Sequence, residues 1–511
     1  MRKTRLAAAA TAAAILLAAA ACSTGGGNVE ASGDGSEFTY RIPDRFKNWL
    51  EDNRWNEPLQ EGAGVEVNLV AGGPEDRHYE QLDLILGDGT LEDATVATMA
   101  QAQVYGRQGA LLDLAPLIEE HAPNLQRYIE ENPDYRNLVQ NTDGSIYGLV
   151  NEYPRISILS FYRQDMFEEA GISSAPTSVE DFTEALRNLK TTFGDDGNYY
   201  PLGGRDDFIN YQYAFGANDR IDKETNEVHG IYESGHGLDI HADGFRDMIE
   251  WYNALYEERL IDPEWVRGQA TEETWQTQML TGAISVSNDF FTRPFWFMTN
   301  ADRDTYPDYQ MATMPALKND GEQMYQPAEP RYNTERVFVA SANTDNSLAI
   351  IKFLDHLYSE EGQRTYHYGV EGESYEVVDG EPEYIVEYEE NTDQDVGTPV
   401  WNFMQDRLTY PAPVNDDAFY KWQDDFTKDF ASDYFENYLV EYPVLQYTPE
   451  QLEERTRLLA SVEPFVDAQL VEFVSGDTPL SEWNSFLQEA DAMGYRDITA
   501  IDQEAWDAQR S

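Results

Sequence analysis

Phe38–Gly109, FTYRIPDRFKNWLEDNRWNEPLQEGAGVEVNLVAGGPEDRHYEQLDLILGDGTLEDATVATMAQAQVYGRQG, decides the fold class. Phe38–Ile42 predicts a first strand. Arg45–Asn53 predicts a helix with Asp44 as its N-cap and Phe46, Trp49 and Leu50 on one face, and Pro58 keeps that helix from running on. Val65–Val70 alternates apolar and polar residues and runs into the Gly72–Gly73 turn, which predicts a second strand. Glu80–Leu86 is helical, Ala94–Met99 a short strand, and Gln101–Gly109 a helix stopped by glycine. The order β-α-β-α-β predicts an α/β fold with a parallel sheet covered by helices.

The rest of the chain repeats the alternation. Asp143–Gly144 makes a tight turn before Ser145–Val150, and a second region begins at Ile156–Tyr162. Ser178 and Asp181 form a capping-box pattern for a helix over Val179–Leu189. Phe245, Met248, Ile249, Tyr252, Leu255 and Tyr256 fall at helical spacing behind Asp243 and predict a core-facing stripe. Val337–Ser341 predicts a strand and Ser347–Ser359 a helix. Thr448 with Gln451 opens a long helix running to Ser475–Gly476, and Trp483, Phe486, Leu487 and Ala490 mark a last one.

Leu280–Met298, LTGAISVSNDFFTRPFWFM, holds the candidate ligand site. Ala283–Ser287 predicts a strand, followed by Asn288, Asp289, Phe290 and Phe291, with Arg293, Phe295 and Trp296 beyond. Flat rings cover the C–H face of a sugar while acids and amides bond its hydroxyls; an aromatic cluster is equally what a core contains. Ligands of open α/β sheets lie at the carboxyl ends of the strands, which selects Arg41, Gly73, Met99, Tyr153 and Asn288–Phe291.

Length and charge narrow the function. A chain of 511 residues exceeds one ordinary core and predicts two or three domains, or one protein of two lobes. The formal net charge is −60, from 95 acidic and 35 basic residues. Without basic surface there is no counterion release to drive nucleic-acid binding. The acidity suits a saline or alkaline setting outside the cytoplasm, and it favours a neutral oligosaccharide over a polyuronate. The one cysteine, Cys22, excludes intrachain disulfides. Arg2, Lys3 and Arg5 precede the apolar run Leu6–Ala21, which is too short and alanine-rich for a spanning helix. Small residues directly before Cys22 give the pattern of a bacterial lipoprotein signal, although Ala19 stands where leucine is usual. Residues 1–22 are thus expected to be a signal ending at a lipidated Cys22, and 23–36 a flexible Gly/Ser tether.

Several runs carry a family resemblance: YGRQGALLDLAPLIEEHAPNL (Tyr105–Leu125), FYRQDMFEEAGI (Phe161–Ile172), YGVEGESYEVVDGEPEY (Tyr368–Tyr384) and FVSGDTPLSEWNSFLQEADAMGY (Phe473–Tyr495). With DGSIYGL (Asp143–Leu149) and LYEERLIDPEW (Leu255–Trp265), they resemble extracellular solute-binding lipoproteins of ABC importers, family 1, in the branch of LplA-like and alginate-oligosaccharide-binding proteins. The resemblance implies a two-lobed type II periplasmic-binding-protein fold with discontinuous lobes and an interlobe cleft. Lobe one is expected to hold residues 37–153 and about 336–388, and lobe two 154–335 and about 389–511. It also implies a monomer on the outer face of the cytoplasmic membrane, held by a lipid anchor and working with ABC permease subunits. By the same resemblance Asp289 and Phe290 match an acid-plus-aromatic pair after a strand, Trp401 lies near a second stacking aromatic with Phe403 and Met404 competing, and Arg331 and Tyr211 lie in cleft-facing segments. The expected ligand set is therefore Arg41, Tyr153, Tyr211, Asn288, Asp289, Phe290, Trp296, Arg331 and Trp401. Alginate-binding relatives carry a calcium loop after the helix matching Val179–Leu189. Here Asp195, Asp196 and Asn198 are too few and too close, so no metal or other cofactor is expected.

Three function classes remain: a binder, a secreted glycosidase or lyase, and a surface scaffold. Glycosidases need a carboxylate pair, but with 95 acids any pair is uninformative. No G-x-S-x-G, H-E-x-x-H or P-loop string is present, and His229 and His236 fit a surface better than a site. The binder is the favoured class and no catalytic residue is expected.

Overall fold

The computed structural model describes residues 31–510 apart from 156–157, 195–196, 206–207, 218–220, 222–224, 232–237, 320–321, 329–330, 386–409 and 422. Cys22 and Trp401 lie outside the described residues, as do Phe403, Met404, Asp195, Asp196 and His236. Eight strands build the two principal sheets: β1 (Glu37–Ile42), β2 (Glu66–Ala71), β3 (Ala94–Ala97), β4 (Leu149–Glu152), β5 (Ile158–Arg163), β6 (Val286–Phe290), β7 (Met311–Thr313) and β8 (Tyr332–Ala340).

The first sheet runs in the order β2-β1-β3-β8-β4. β1 is parallel to β2 and β3, whereas β8 returns antiparallel between β3 and β4. This is the type II arrangement expected above, with one strand supplied from far along the chain. β3 is buried at every residue, as a strand covered on both faces must be. The second sheet is β6-β5-β7, all antiparallel.

Two large cores lie around these sheets. One collects residues from Phe38 to Val150 and again from Val337 to Ala412. The other collects Leu159 to Leu317 and then Phe419 to Ile498. The discontinuity of the lobes is thus a property of packing. The expected boundary at 388 falls too early: Tyr410 is fully buried in the first core, stacked on Tyr40 and edge-on to Phe353, and its hydroxyl donates to Asn56 Oδ1. Among the described residues the chain leaves one core for the other between Val150 and Leu159, between Leu317 and Val337, and between Ala412 and Phe419.

Several local expectations shift. Asp44 is the first residue of its helix (Asp44–Asp52), and its carboxylate instead accepts from Gly73 N across the turn after β2. Pro58 does not end that helix; it sits in the first turn of a new one, Asn56–Ala63, where a missing N–H costs nothing. The expected tether 23–36 is docked at its end: Ser32 bonds Ser347 and Thr344, and Lys352 Nζ donates to Gly35 O. A helix beyond the predicted last one, Tyr495–Arg510, follows Gly494 at φ 115°, where an added Cβ would meet Leu458 at 2.6 Å.

The candidate strand Ala283–Ser287 moves. The helix before it, Glu272–Thr281, ends on Gly282 in the left-handed region, and Ser285 N and Val286 N bond Pro201 O. Ladder pairing with β5 starts only at Val286 and continues to Phe290. Asn288, Asp289 and Phe290 are therefore strand residues and do not follow the strand.

Candidate functional site

The interlobe space is shaped by helix starts. Thr98 opens the helix Met99–Arg107 with a reciprocal capping box: its Oγ1 accepts from Gln101 N at 3.2 Å and Gln101 Oε1 accepts from Thr98 N at 3.1 Å. That places Met99 and Gln103 at the carboxyl end of β3. Opposite, Thr448 and Gln451 form the capping box expected for Pro449–Ser475. Between these helices lies a cavity of about 610 Å³, bordered by both lobes and by the connecting segments at Pro154–Arg155 and Arg331–Glu335. The rings of Tyr332, Tyr442 and Tyr447 line it, with the amides of Gln103, Asn137 and Asn141. Gln103 is 4% exposed, and among the described residues its Oε1 has no hydrogen-bond donor. A buried acceptor left without a donor is uncommon and marks a place for a ligand hydroxyl or water.

The lobes also touch at the cavity edge. Gln446 Nε2 donates to Gln140 O at 2.8 Å, and Arg107 lies 3.6 Å from Glu453. Arg455 on the long helix is held by the buried Asp502, with Nε to Oδ1 at 2.6 Å and Nη2 to Oδ2 at 3.3 Å, and its guanidinium lies over the Tyr447 ring at 5.3 Å.

The three connecting segments share one polar knot. Glu152, at the end of β4, has a fully buried carboxylate that accepts from Tyr128 Oη, Arg331 Nε (3.3 Å) and Val414 N (3.4 Å). Arg331 Nη1 reaches Asp416 at 2.9 Å, and Asp416 also accepts from Arg155 N at 2.9 Å. Burial raises the Glu152 pKa, and its bonds to Tyr128 and Arg331 oppose that shift. Tyr153, the next residue, bonds Arg331 O through its N–H and receives Asn333 Nδ2 on its hydroxyl at 2.5 Å.

The expected residues divide sharply. Arg331 lines the cavity, and Tyr153 lies beside it in the connecting segments. Arg41, the next-to-last residue of β1, does not border the cavity; its Nη1 donates to Ala71 O and its Nε lies 3.5 Å from Glu92. Tyr211 is fully buried. Its hydroxyl bonds Ser160 and Asn288, and burial lifts its pKa to about 12, so it supports β5 and β6 and its ring offers no face to a ligand. Asp289 is 2% exposed and takes Arg205 Nε at 2.6 Å, Arg293 Nε at 3.2 Å and its neighbour Phe290 N at 2.7 Å. Glu272 completes the group by pairing with both arginines. Because side chains alternate along a strand, Asp289 points to the side of Trp275, while Asn288 and Phe290 point to the side of Tyr211. The expected acid-plus-aromatic grip on one ring is therefore not built. Trp296 packs edge-on to Phe297 on the Asp289 side. Phe290 is half-buried and does not border the cavity.

The lining residues that sequence reasoning missed include Gln103, Tyr332, Tyr442 and Tyr447, together with Glu441 and Arg455. The capping boxes at Thr98 and Thr448 were the available signal, since each places the next turns of a helix at an interlobe edge.

A fold of two discontinuous α/β lobes around a polar, tyrosine-lined cleft defines a solute-binding protein. Residues 36–364 match the family described as bacterial extracellular solute-binding protein, and the chain belongs to that family. Among curated proteins it is similar to the fructooligosaccharide ABC transporter substrate-binding protein FusA of Streptococcus pneumoniae, 21% identical over 490 residues, covering 88% of this chain and 86% of that one. It is also similar to Lipoprotein LipO of Bacillus subtilis, 22% identical over 342 residues, covering 63% and 64% of the two chains. Among solved structures, alginate-binding protein AlgQ2 without calcium ion superposes with a TM-score of 0.72 at 16% identity, covering 93% of this chain and 98% of that one. FusA in complex with kestose gives 0.72 at 16% identity, with 93% and 99% covered.

Proposed function

We propose that this protein captures an oligosaccharide outside the cytoplasm by closing its two lobes on it, and hands it to the permease subunits of an ABC importer. The observation that carries the reading is the interlobe cavity of about 610 Å³, where three tyrosine rings and a row of amides surround a buried Gln103 acceptor without a donor. Rings supply apolar contact to a pyranose or furanose face, and amides and the connecting backbone serve its hydroxyls. The fructooligosaccharide-binding relative supports the ligand class, and the lipoprotein relative supports anchoring through Cys22. One acyl chain holds a protein only weakly at a membrane and stable anchoring takes two or more, which lipoprotein modification of Cys22 would supply. The protein works as a monomer, without a cofactor and without turning its ligand over.

Thermal unfolding of the purified chain against a glycan panel tests this. A saturable rise in Tm with a subset of glycans and no degradation of them is expected. Gln103→Leu should weaken the best ligand by roughly tenfold or more, because it removes an acceptor the buried hydroxyl needs. Degradation of the glycan would support a glycosidase or lyase instead, and no shift with any glycan would overturn the proposal. Separately, Cys22→Ser should release the protein into the medium or block its processing; a variant still membrane-bound and normally processed would sink the anchor.

A further inference from the structure

Among the described residues, three basic side chains line the interlobe cavity: Arg155, Arg331 and Arg455. Each lies against a carboxylate of the protein itself. Arg455 is gripped by both oxygens of Asp502, which is fully buried. Arg331 spans the buried Glu152 and Asp416. Arg155 Nε lies 2.9 Å from Glu441, which is 66% exposed. The cavity wall itself adds Asp134, Glu335, Glu441 and Glu463.

A sugar carboxylate is ordinarily recognised by a guanidinium fork offering two parallel N–H donors. Taking Arg455 or Arg331 for that purpose would strip a fully buried Asp502 or Glu152 of its counter-charge, which a buried carboxylate does not tolerate. Glu441 stands over the remaining arginine, and it faces Asp134 of the other lobe closely enough to disfavour ionisation of Asp134, after burial itself. A uronate arriving there meets carboxylates first. A neutral sugar meets no such penalty, since its hydroxyls can donate to those carboxylates and accept from amides.

We propose that this cleft admits uncharged glycans and rejects uronate-bearing ones, with Glu441 as the specificity-determining residue because it pairs with the one lining arginine, among the described residues, that has no buried carboxylate to neutralise. The inference rests on the oligosaccharide reading above and deepens it.

Isothermal titration of the whole chain with short neutral oligosaccharides (fructo-, malto- and manno-series) and short oligouronates (mannuronate, guluronate and galacturonate) tests it. At least one neutral glycan should bind, with every oligouronate weaker by about a hundredfold or more. Glu441→Gln frees Arg155 and should raise the ratio of uronate to neutral affinity by at least roughly tenfold, and that gain should shrink between about 50 and about 500 mM NaCl as the new charge contact is screened. Glu441 is exposed, so its replacement leaves the fold intact, which an unchanged Tm of the free variant verifies. A wild-type chain that binds an oligouronate within about tenfold of its best neutral ligand overturns the proposal, as does an unchanged ratio in Glu441→Gln. If no glycan of either charge class binds, the oligosaccharide reading itself has failed.

Discussion

At Asp289 the pleat of β6 decides what the side chain meets. The sequence showed an acid beside a ring, and a loop would have allowed both to turn to one ligand. A strand sends them to opposite faces, and two arginines wait on the acid's side. Removing one member of a buried ionic group leaves the others uncompensated, so Asp289→Ala is expected to destabilise the fold by about 3–5 kcal/mol. Urea denaturation checks this; an unchanged midpoint would return Asp289 to the list of ligand contacts. The adjacent rings make a second contrast. Phe291 is 1% exposed among Phe419, Tyr420 and Phe435, and Phe291→Ala should cost about 3–5 kcal/mol. Phe290→Ala should cost about 1 kcal/mol or less by the same measurement, because its half-buried ring belongs to none of the core clusters among the described residues. The sequence could not separate the two rings, since Phe290 is the last residue of the ladder and Phe291 lies in the turn just past it, packed on rings more than a hundred residues further along the chain.

At the level of elements, the short-range signals were legible and the long-range ones were not. Thr448 with Gln451 fixed a helix start correctly because a capping box is written within four residues. The stripe from Phe245 to Leu255 is core as its period required. Ser178 accepts from Asp181 N, which is one half of the expected capping box; the reciprocal bond from Ser178 N to Asp181 is not formed. The insertion of β8 between β3 and β4 depends on pairing with strands far back along the chain, Val337 with Ala97 and Tyr332 with Glu152, which no local pattern encodes. One element carries a pH signature. His367, in the helix Glu360–Tyr368, has its ring buried, with Nε2 3.1 Å from Pro413 O in the third connecting segment. Burial lowers its pKa from 6.5 to about 4. The unfolded chain therefore binds a proton as pH falls below 6.5 while the fold does not until near 4, and stability is lost across that window as pH drops. His367 alone should account for about 2 kcal/mol lost between about pH 7 and about pH 5. Denaturation midpoints of wild type and His367→Gln at the two pH values should show the smaller drop in the variant; equal drops would refute the assignment.

On the scale of the whole molecule, charge and connectivity dominate. A formal net charge of −60 makes the folded state repel itself at low ionic strength. Melting temperature should therefore rise as NaCl is increased from about 10 mM to about 500 mM, and calorimetry showing no rise would contradict a charge-limited stability. The two-lobed plan was legible from the repeated βα alternation and the resemblance it carried, whereas the exact division was not, because Tyr410 joins the first core from beyond a stretch the sequence assigned to the second. Small-angle scattering should show a smaller radius of gyration with saturating ligand, as lobe closure requires, and an unchanged radius would argue for a rigid cleft.

The three passages between the lobes found among the described residues, fastened together by Glu152, Arg331 and Asp416, restrict more than distance. A single linker would let the halves swivel freely, like beads on a string. Three straps side by side suppress torsion about the long axis and sliding of one half past the other, leaving a bend as the soft mode. Any opening of the lobes would then have essentially one degree of freedom, like the covers of a book about its spine. On the proposed function, a sugar chain would then enter along the fore-edge, opposite the spine, and a glycan longer than the cavity would be held with its remainder in solvent.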